Sequence, residues 1–406
     1  MCIAAPSPFP ISRGSRVLDL AARTWTPKTA AEVAEIVAGA GGAGRALEIV
    51  GGGTKRGIGG GPAADGVLSL ASLSKVIDYA PEELVLTAQP GVTLAALEKL
   101  VAAQAQMLPF EPPHLAKLLG AKGRPTLGGA LAANLSGPRR IRAGAARDHF
   151  LGLEAVTGRG ELIKAGGKVV KNVTGYDLSK LMAGSWGTLA VLTEVTIKVL
   201  PAARTETTLL LFGLADARAN AAMVAAMNAP VEVSGAAHLP QAAAARAPLK
   251  GQMAVTALRL EGFAASVAAR ADHLAAALKG FGRAERLDAG HSRQFWAQVR
   301  EVEAFHKDPR PLWRISVPPA MGASVGEAVA GEALYDWGGG LVWLLTDAEP
   351  QGVRAAVKAL GGHATVYRGD APAFEPLEGP LAALTARVKA AFDPKGVLNP
   401  GRMGGA

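Results

Sequence analysis

GGGTKRG, residues 51–57, follows directly on the short apolar run Ala46–Val50. A strand that empties into consecutive glycines lets its backbone N–H groups turn toward a single anion. Gly51, Gly52 and Gly53 have no side chain to block such a group, Thr54 offers a hydroxyl donor, and Lys55 or Arg56 offers charge. A Rossmann dinucleotide fingerprint would need glycine where Arg56 stands, followed by a helix, and no GxxxxGK[ST] loop occurs in the chain. On its own, a glycine cluster after a strand also reads as an ordinary turn.

Three further constellations follow in order. Gln89-Pro90-Gly91-Val92-Thr93 is again strand to helix. Thr126-Leu127-Gly128-Gly129, running on to Asn134, opens a helix on paired glycines and gives a second close backbone approach. Gly184-Ser185-Trp186-Gly187-Thr188-Leu189-Ala190-Val191-Leu192 is the last. Each is weak singly; their order within residues 51–194 is not.

The surrounding elements can be read outward from these loops. Residues 26–38 form a capped amphipathic helix with Thr26 at the cap, Pro27 in the first turn and Val33, Ile36 and Val37 on one face. Short strands are expected at Val67–Leu70, Val76–Tyr79 and Leu84–Thr87, and a helix at 93–106 with Leu94, Leu97, Leu100 and Val101 in one stripe. The Pro-rich 108–114 must be irregular, and His149–Val156 with Glu161–Lys164 reads as a hairpin around Thr157–Gly160. Thr188–Leu200 is largely strand. Beyond Pro201, alanine-rich helices at 215–227 and 264–279 alternate with strands at 207–213 and 253–260. A domain boundary is therefore expected near residue 203, dividing 1–202 from an α+β unit at 203–406 of ferredoxin-like flavour.

Composition bounds the function. At 406 residues, 49% hydrophobic and 19% charged, the chain is globular and long enough for two cores. Its net charge of +9 fits either an ordinary basic surface or attraction to anionic partners such as a phosphate-bearing cofactor, an acid substrate or an acidic protein. Nucleic-acid binding is not expected, because no Lys/Arg run interleaves with aromatics, which make up only 5% of residues. Cys2 is the only cysteine, so the chain has no internal disulfide and cannot ligate an iron–sulfur cluster alone. The opening MCIAAPSPFP lacks the features of a secretory signal, and no apolar run is long enough to span a membrane. The expected compartment is the cytoplasm, with peripheral attachment at the inner membrane through partner proteins as the alternative.

In order, GGGT, QPGVTLAALE, TLGGALAAN, RDHFLGLEAV, KNVTGYDLSKLMAGSWGTLAVLTEVTIKVLP and FDPKGVLNPGRM resemble the FAD-linked oxidases of the vanillyl-alcohol-oxidase (PCMH) type. Within them, GPRRIRAGAARDHFLGLEAV at 137–156, FWAQVRE at 295–301, LWRISVPP at 312–319 and GGHATVYRG at 361–369 are most similar to the E-type FAD-binding subunits of bacterial glycolate oxidases. The resemblance implies an α+β fold: a two-part FAD-binding domain, then an α+β cap whose C-terminal segment returns to that domain. It implies that Gly51–Lys55 hold the pyrophosphate, that Thr126, Leu127, Gly128, Gly129 and Asn134 continue the cradle with Pro90 and Gly91 beside it, and that Gly187, Val191 and Leu192 lie along the adenosine or flavin half. Asn399 and Pro400 would return from the cap toward the ring. It also implies two partners, a D-type catalytic flavoprotein and an F-type iron–sulfur protein, and a small hydroxy acid oxidised by the complex. Two departures stand out. Thr54 replaces the histidine of covalent members, which implies non-covalent FAD, and Trp186 replaces a glutamate common in the GSEGTLG segment.

Side chains for chemistry are sparse. Hydroxy-acid-oxidising relatives carry a histidine cluster and a Glu-His pair in the cap. Here none of His114, His149, His238, His273, His291, His306 and His363 follows a glutamate, and no two are spaced as metal ligands, so no metal is expected. His363 reads as a hydrogen-bonded structural residue or as a proton acceptor near the flavin; His149 reads as structural. Arg314 and Arg368 lie on expected strands among apolar neighbours, where an unpaired guanidinium is costly. A structural Asp or Glu is the expected partner, and a substrate carboxylate the alternative. Phe295, Val299 and Val302 share a helix face and read as core, with Trp296 at a rim. Tyr176 and Asp177 follow Gly175 in a loop, either near the flavin or with Asp177 stabilising a turn. Three functions remain open: an electron-relaying FAD subunit of a glycolate-oxidising complex, a self-sufficient hydroxy-acid dehydrogenase, and a non-catalytic scaffold that keeps the FAD fold.

Overall fold

The computed structural model describes residues 24–58, 61–167, 175–247 and 253–404; Cys2, Gly59–Gly60 and 169–174 of the VVKNVTGYDL stretch lie outside them. The first helix, Ala30–Gly42, is capped not by Thr26 but by Thr29, whose Oγ1 accepts from Glu32 N at 3.2 Å. The reason is local: Thr29 and Glu32 stand at the spacing of a capping box, and Glu32 also accepts from the Lys28 backbone N–H. Val33, Ile36 and Val37 are buried as expected.

Strands Leu47–Val50, Gly66–Ser69 and Thr24–Trp25 form a small parallel sheet. Five antiparallel strands make a second sheet in the order Val76–Ala80, Val85–Ala88, Ala190–Lys198, Phe150–Thr157, Leu162–Gly166. The helix expected to reach residue 106 ends earlier, at Leu94–Ala102. Ala105 takes a positive φ of 51°, and Gln106 leaves to pair with Pro201 and to donate to the Pro81 carbonyl at 2.7 Å.

Every strand from Thr205–Phe212 to His363–Arg368 belongs to one antiparallel sheet of eight. Period-two alternation decides its two faces. Leu209 and Leu211 point to a core shared with helices Asp216–Asn228 and Ala264–Ala277. Leu210, Leu334 and Trp343 point the other way and pack with Ile58, Leu115, Leu118 and Leu135 of the first half. The chain then passes through helix Gly379–Phe392 and returns: Leu47 N donates to the Val397 carbonyl, and Asn399 N to that of Leu47.

The junction is tied by charge as well as by apolar burial. Arg259 donates from both terminal nitrogens to Glu111 at 3.0 Å, and Arg139 donates to Glu261 at 2.9 Å. Trp296 is part of this junction rather than at a rim: it is 1% exposed, donates from Nε1 to Thr208 Oγ1, and lies 4.7 Å from the Arg259 guanidinium. Burial pushes the Glu111 carboxyl up, but Arg259 and Arg139 outweigh it and hold the group at about 2. The pair's contribution to stability is therefore present above the ordinary carboxylate range and is lost as pH falls through about 2. Replacing Glu111 by Ala strips buried Arg259 of both its short hydrogen bonds to a carboxylate and leaves it only the longer contact with Glu261, 3.6 Å from its Nε. The expected cost is about 3–5 kcal/mol, read by denaturant unfolding, and a loss below about 1 kcal/mol would show that the pair does not bind the halves together.

Candidate cofactor cleft

The glycine loops converge on one cleft because each rests on another. Gly128 N donates to the Pro90 carbonyl, Leu127 N to that of Val92, and Leu94 N to that of Pro125, so the second and third constellations clasp. Thr126 caps helix Leu127–Ala132 by accepting from Gly129 N. Gly52 meets a loop that the sequence pattern does not single out: a Cβ there would sit 1.5 Å from the Arg124 carbonyl oxygen, and one on Gly123 would sit 1.6 Å from that of Gly52. Gly52 is thus required by backbone-to-backbone packing; the left-handed residue of the triplet is Gly53, at φ 72°.

The cleft has a cavity volume of about 100 Å³ and opens to solvent at its mouth. Gly51, Gly52, Gly53, Thr54, Lys55, Pro90, Thr126, Gly128, Gly129, Gly187, Leu192 and Asn399 line it. Four residues expected beside them do not. Gly91 packs under the Leu70 and Leu73 carbonyls, and Leu127 and Val191 lie in apolar cores. Asn134 turns its Oδ1 to the Arg147 N–H. The sequence pattern gives no sign of Arg402, which ends the FDPKGVLNPGR stretch and lines the cleft together with Trp186.

Asn399 holds the returning tail in place. Its Oδ1 accepts from Ile49 N at 2.8 Å, and its Nδ2 donates to the Trp186 carbonyl at 2.8 Å. Three basic side chains reach the glycine loop, and their partners differ. Arg56 is paired, donating to Glu48 at 2.8 Å. Lys55 is buried, its ammonium donating to Thr54 Oγ1 at 3.2 Å, and Arg402 donates to the carbonyls of Lys55 and Arg56. Among the described residues no carboxylate forms an ion pair with either. Burial first, then Arg402, lowers Lys55 to about 8. Two buried cations without an ion-paired carboxylate, beside a glycine loop, are what an anionic ligand needs.

The chemistry candidates lie elsewhere. Arg368 donates to the carbonyls of Arg310 and Leu118 at 3.0 and 3.1 Å, and Arg314 lies over the Trp337 and Trp343 rings at 5.0 and 6.0 Å. Among the described residues neither forms an ion pair with an Asp or Glu; backbone carbonyls and indole faces are their close partners. His363 is exposed at the start of its strand. His149 Nε2 lies 2.8 Å from the Ala143 carbonyl oxygen, a structural contact. Asp177 caps helix Leu178–Met182, and Tyr176 is exposed.

A family model described as an FAD binding domain matches residues 21–166. The chain is 37% identical to glycolate oxidase subunit GlcE of Escherichia coli over 81% of its own length and 84% of that protein's. It is 35% identical to glycolate oxidase subunit GlcD of Bacillus subtilis over 36% of its length and 29% of that protein's. A solved structure of p-cresol methylhydroxylase superposes over 94% of this chain and 88% of that one, with a TM-score of 0.69 at 16% identity, which speaks for the fold alone. The family model and these relatives define an FAD-binding oxidoreductase. Within that class the chain belongs to the GlcE family of glycolate oxidase subunits.

The glycine contacts give an ordering that can be measured. Gly52→Ala drives a methyl into the Arg124 carbonyl, so the two loops must part. Gly53→Ala meets no atom closer than 3.7 Å and costs only its left-handed backbone, about 1–2 kcal/mol. Thermal unfolding should show the larger loss for Gly52→Ala; equal or reversed losses would mean that loops 51–53 and 122–124 do not meet.

Proposed function

We propose that this chain is the FAD-binding subunit of a multi-subunit glycolate oxidase and holds its FAD non-covalently in the cleft described above. The observation that carries the reading is the pair of buried cations, Lys55 and Arg402, beside Gly51–Gly53 and the Thr126–Gly129 turn, with the cleft's carboxylate Glu48 ion-paired to Arg56 instead of to either of them. The residues fit the group: the glycines leave room for a pyrophosphate against backbone N–H donors, and the cations offset its charge. Gly187, Leu192 and Trp186 would wall the rest of the cofactor, with Gly91, Leu127, Asn134 and Val191 supporting the walls from behind. When bound, FAD supplies the two-electron acceptor for oxidising glycolate to glyoxylate. This chain's own residues bind and orient the cofactor.

The similarity to proteins named as glycolate oxidase subunits GlcE and GlcD supports a hetero-oligomer, in which a D-type catalytic flavoprotein and an F-type iron–sulfur protein are the partners. The chain's only cysteine fits an iron–sulfur centre housed elsewhere. Among the described residues no helix is long and apolar enough to cross a membrane, and we place the protein in the cytoplasm. We also take residues 1–202 and 203–406 as its two units, since the eight-stranded sheet draws all its strands from the second.

Two outcomes test the reading. With Thr54 where covalent relatives carry histidine, acid precipitation should release all flavin absorbance to the supernatant; flavin held in the pellet would refute a non-covalent site. Lys55, lowered to about 8 in the open cleft, must be protonated to hold phosphate. FAD affinity, followed by fluorescence of released flavin, should therefore fall as pH rises through about 8, and Lys55→Met should bind more weakly with that pH step gone. A step unchanged in Lys55→Met would place the phosphate elsewhere.

A further inference from the structure

The sheet face that packs on the first half carries charge among its apolar side chains. Arg314 stands in register with Trp343 and Thr365, and the next row along holds Asp336, Leu341, Ser316 and His363. Partners in an antiparallel pair, and residues two apart on a strand, share a face. Arg314, Asp336 and His363 therefore point the same way, toward the first half. Trp337 follows Asp336 and fastens the two halves by donating from Nε1 to the Gly137 carbonyl at 3.0 Å. From the first half Arg140 crosses to the same indole. Its Cζ lies 4.2 Å from the Trp337 ring centre, and that of Arg314 lies 5.0 Å from it.

The neighbouring arginines show what is unusual here. Arg139 is paired with Glu261, Arg142 with Glu232 at 2.6 Å, and Arg259 with Glu111. Among the described residues no carboxylate forms an ion pair with Arg140 or Arg314, although the two lie against one ring. Arg140 senses both kinds of neighbour: partial burial of its guanidinium first and Arg314 second lower it, and the more distant Asp148 raises it without an ion pair. Asp336, in the adjoining row, accepts from the Trp337 N–H, and burial raises it to about 7, so it offsets Arg314 only in part at neutral pH. Arg140 and His363 are exposed and Arg314 half-buried, so the cluster opens to solvent. Trp186 and Ala133, which line the cofactor cleft, pack against the side-chain cluster that contains Trp337 and Trp343.

We propose that Arg140 and Arg314, with the Trp337 indole as their common wall, form a binding site for a short carboxylate that carries a second oxygen on the neighbouring carbon, a 2-hydroxy or 2-oxo acid. Two planar guanidiniums offer more donors than one carboxylate accepts, so a ligand with an oxygen at the adjacent carbon uses the site more fully than a bare carboxylate. The choice of acid rests on the family reading above; the cation pair does not.

Calorimetric titration of the purified, flavin-bearing chain with acetate, glycolate, glyoxylate and sulfate tests it. Saturable binding of glycolate or glyoxylate is expected, tighter than acetate or sulfate. Arg140→Gln and Arg314→Gln should each weaken it about tenfold to a hundredfold, the worth of one charge-assisted hydrogen bond. Arg142→Gln, whose residue is already paired with Glu232, should bind as the parent does. Arg314→Lys, which keeps the charge and loses the fork, should fall between and guards against a variant that fails to fold. No saturable heat with any acid, equal affinity for sulfate, or unchanged binding in a folded Arg140→Gln would overturn the proposal. Protein that purifies colourless would count against the FAD reading instead, and its titration would still report on the two arginines.

Discussion

The cleft depends on Asn399. One side chain accepts from the Ile49 backbone and donates to that of Trp186, so the glycine loop after Val50, the turn at Gly187 and the C-terminal tail are fixed by a single amide. The residue sits at a positive φ of 44°, a conformation asparagine tolerates better than most. A Cβ on Gly187 would lie 2.9 Å from the Asn399 Nδ2, so glycine is needed there for approach as well as for its own φ of 69°. Asp393 prepares the tail by accepting from the backbone N–H groups of Val397 and Leu398. The last residues of the second half thus complete a site built mainly by the first, and they deliver Arg402 to it.

The junction follows a different rule from the cleft. At Glu111, Arg139, Arg259 and Glu261, buried charges are matched one to another, and such matching holds parts together with little left over for a ligand. At Lys55 with Arg402, and at Arg140 with Arg314, the close partners among the described residues are hydroxyl, carbonyl and indole groups, and no carboxylate forms an ion pair with them. An unmatched buried cation costs folding free energy. Lys55 and Arg402 are buried in this way, and their lack of an ion-paired carboxylate supports the proposal that their charge serves a bound ligand.

The sequence is legible where the cause is local. Glycine turns, the apolar stripe of the first helix, the hairpin at Phe150–Gly166 and the α+β character of the second half are all set by short-range pattern. The departures have long-range causes, or a competing local signal. Val191 and Leu192 both read as cofactor contacts, yet adjacent strand residues face opposite sides; Leu192 lines the cleft and Val191 fills the core beneath the first helix. Thr26 yields the cap to Thr29 because Glu32 stands three residues after the latter. Trp296 reads as a rim residue because one helix stripe cannot reveal that strand Thr205–Phe212 covers the next. Arg402 is invisible as a ligand-side cation because its position depends on a tail that crosses back over the whole chain.

The contrast between Arg56 and Lys55 shows how such a site can be recognised without a ligand. The two are adjacent on one loop, and composition treats them alike. Arg56 reaches back to Glu48 on the strand before the loop and is neutralised, so it contributes shape rather than charge to the cleft. Lys55 turns inward, where burial and Arg402 both disfavour its charged form. A lysine serving only the fold would be stabler with a carboxylate beside it or with its ammonium in water. Among the described residues Lys55 has neither, and its one hydroxyl partner there, Thr54, leaves ammonium donors unused. The arrangement supports the proposal that Lys55 is half of an ion pair whose other half is a phosphate bound at the glycine loop.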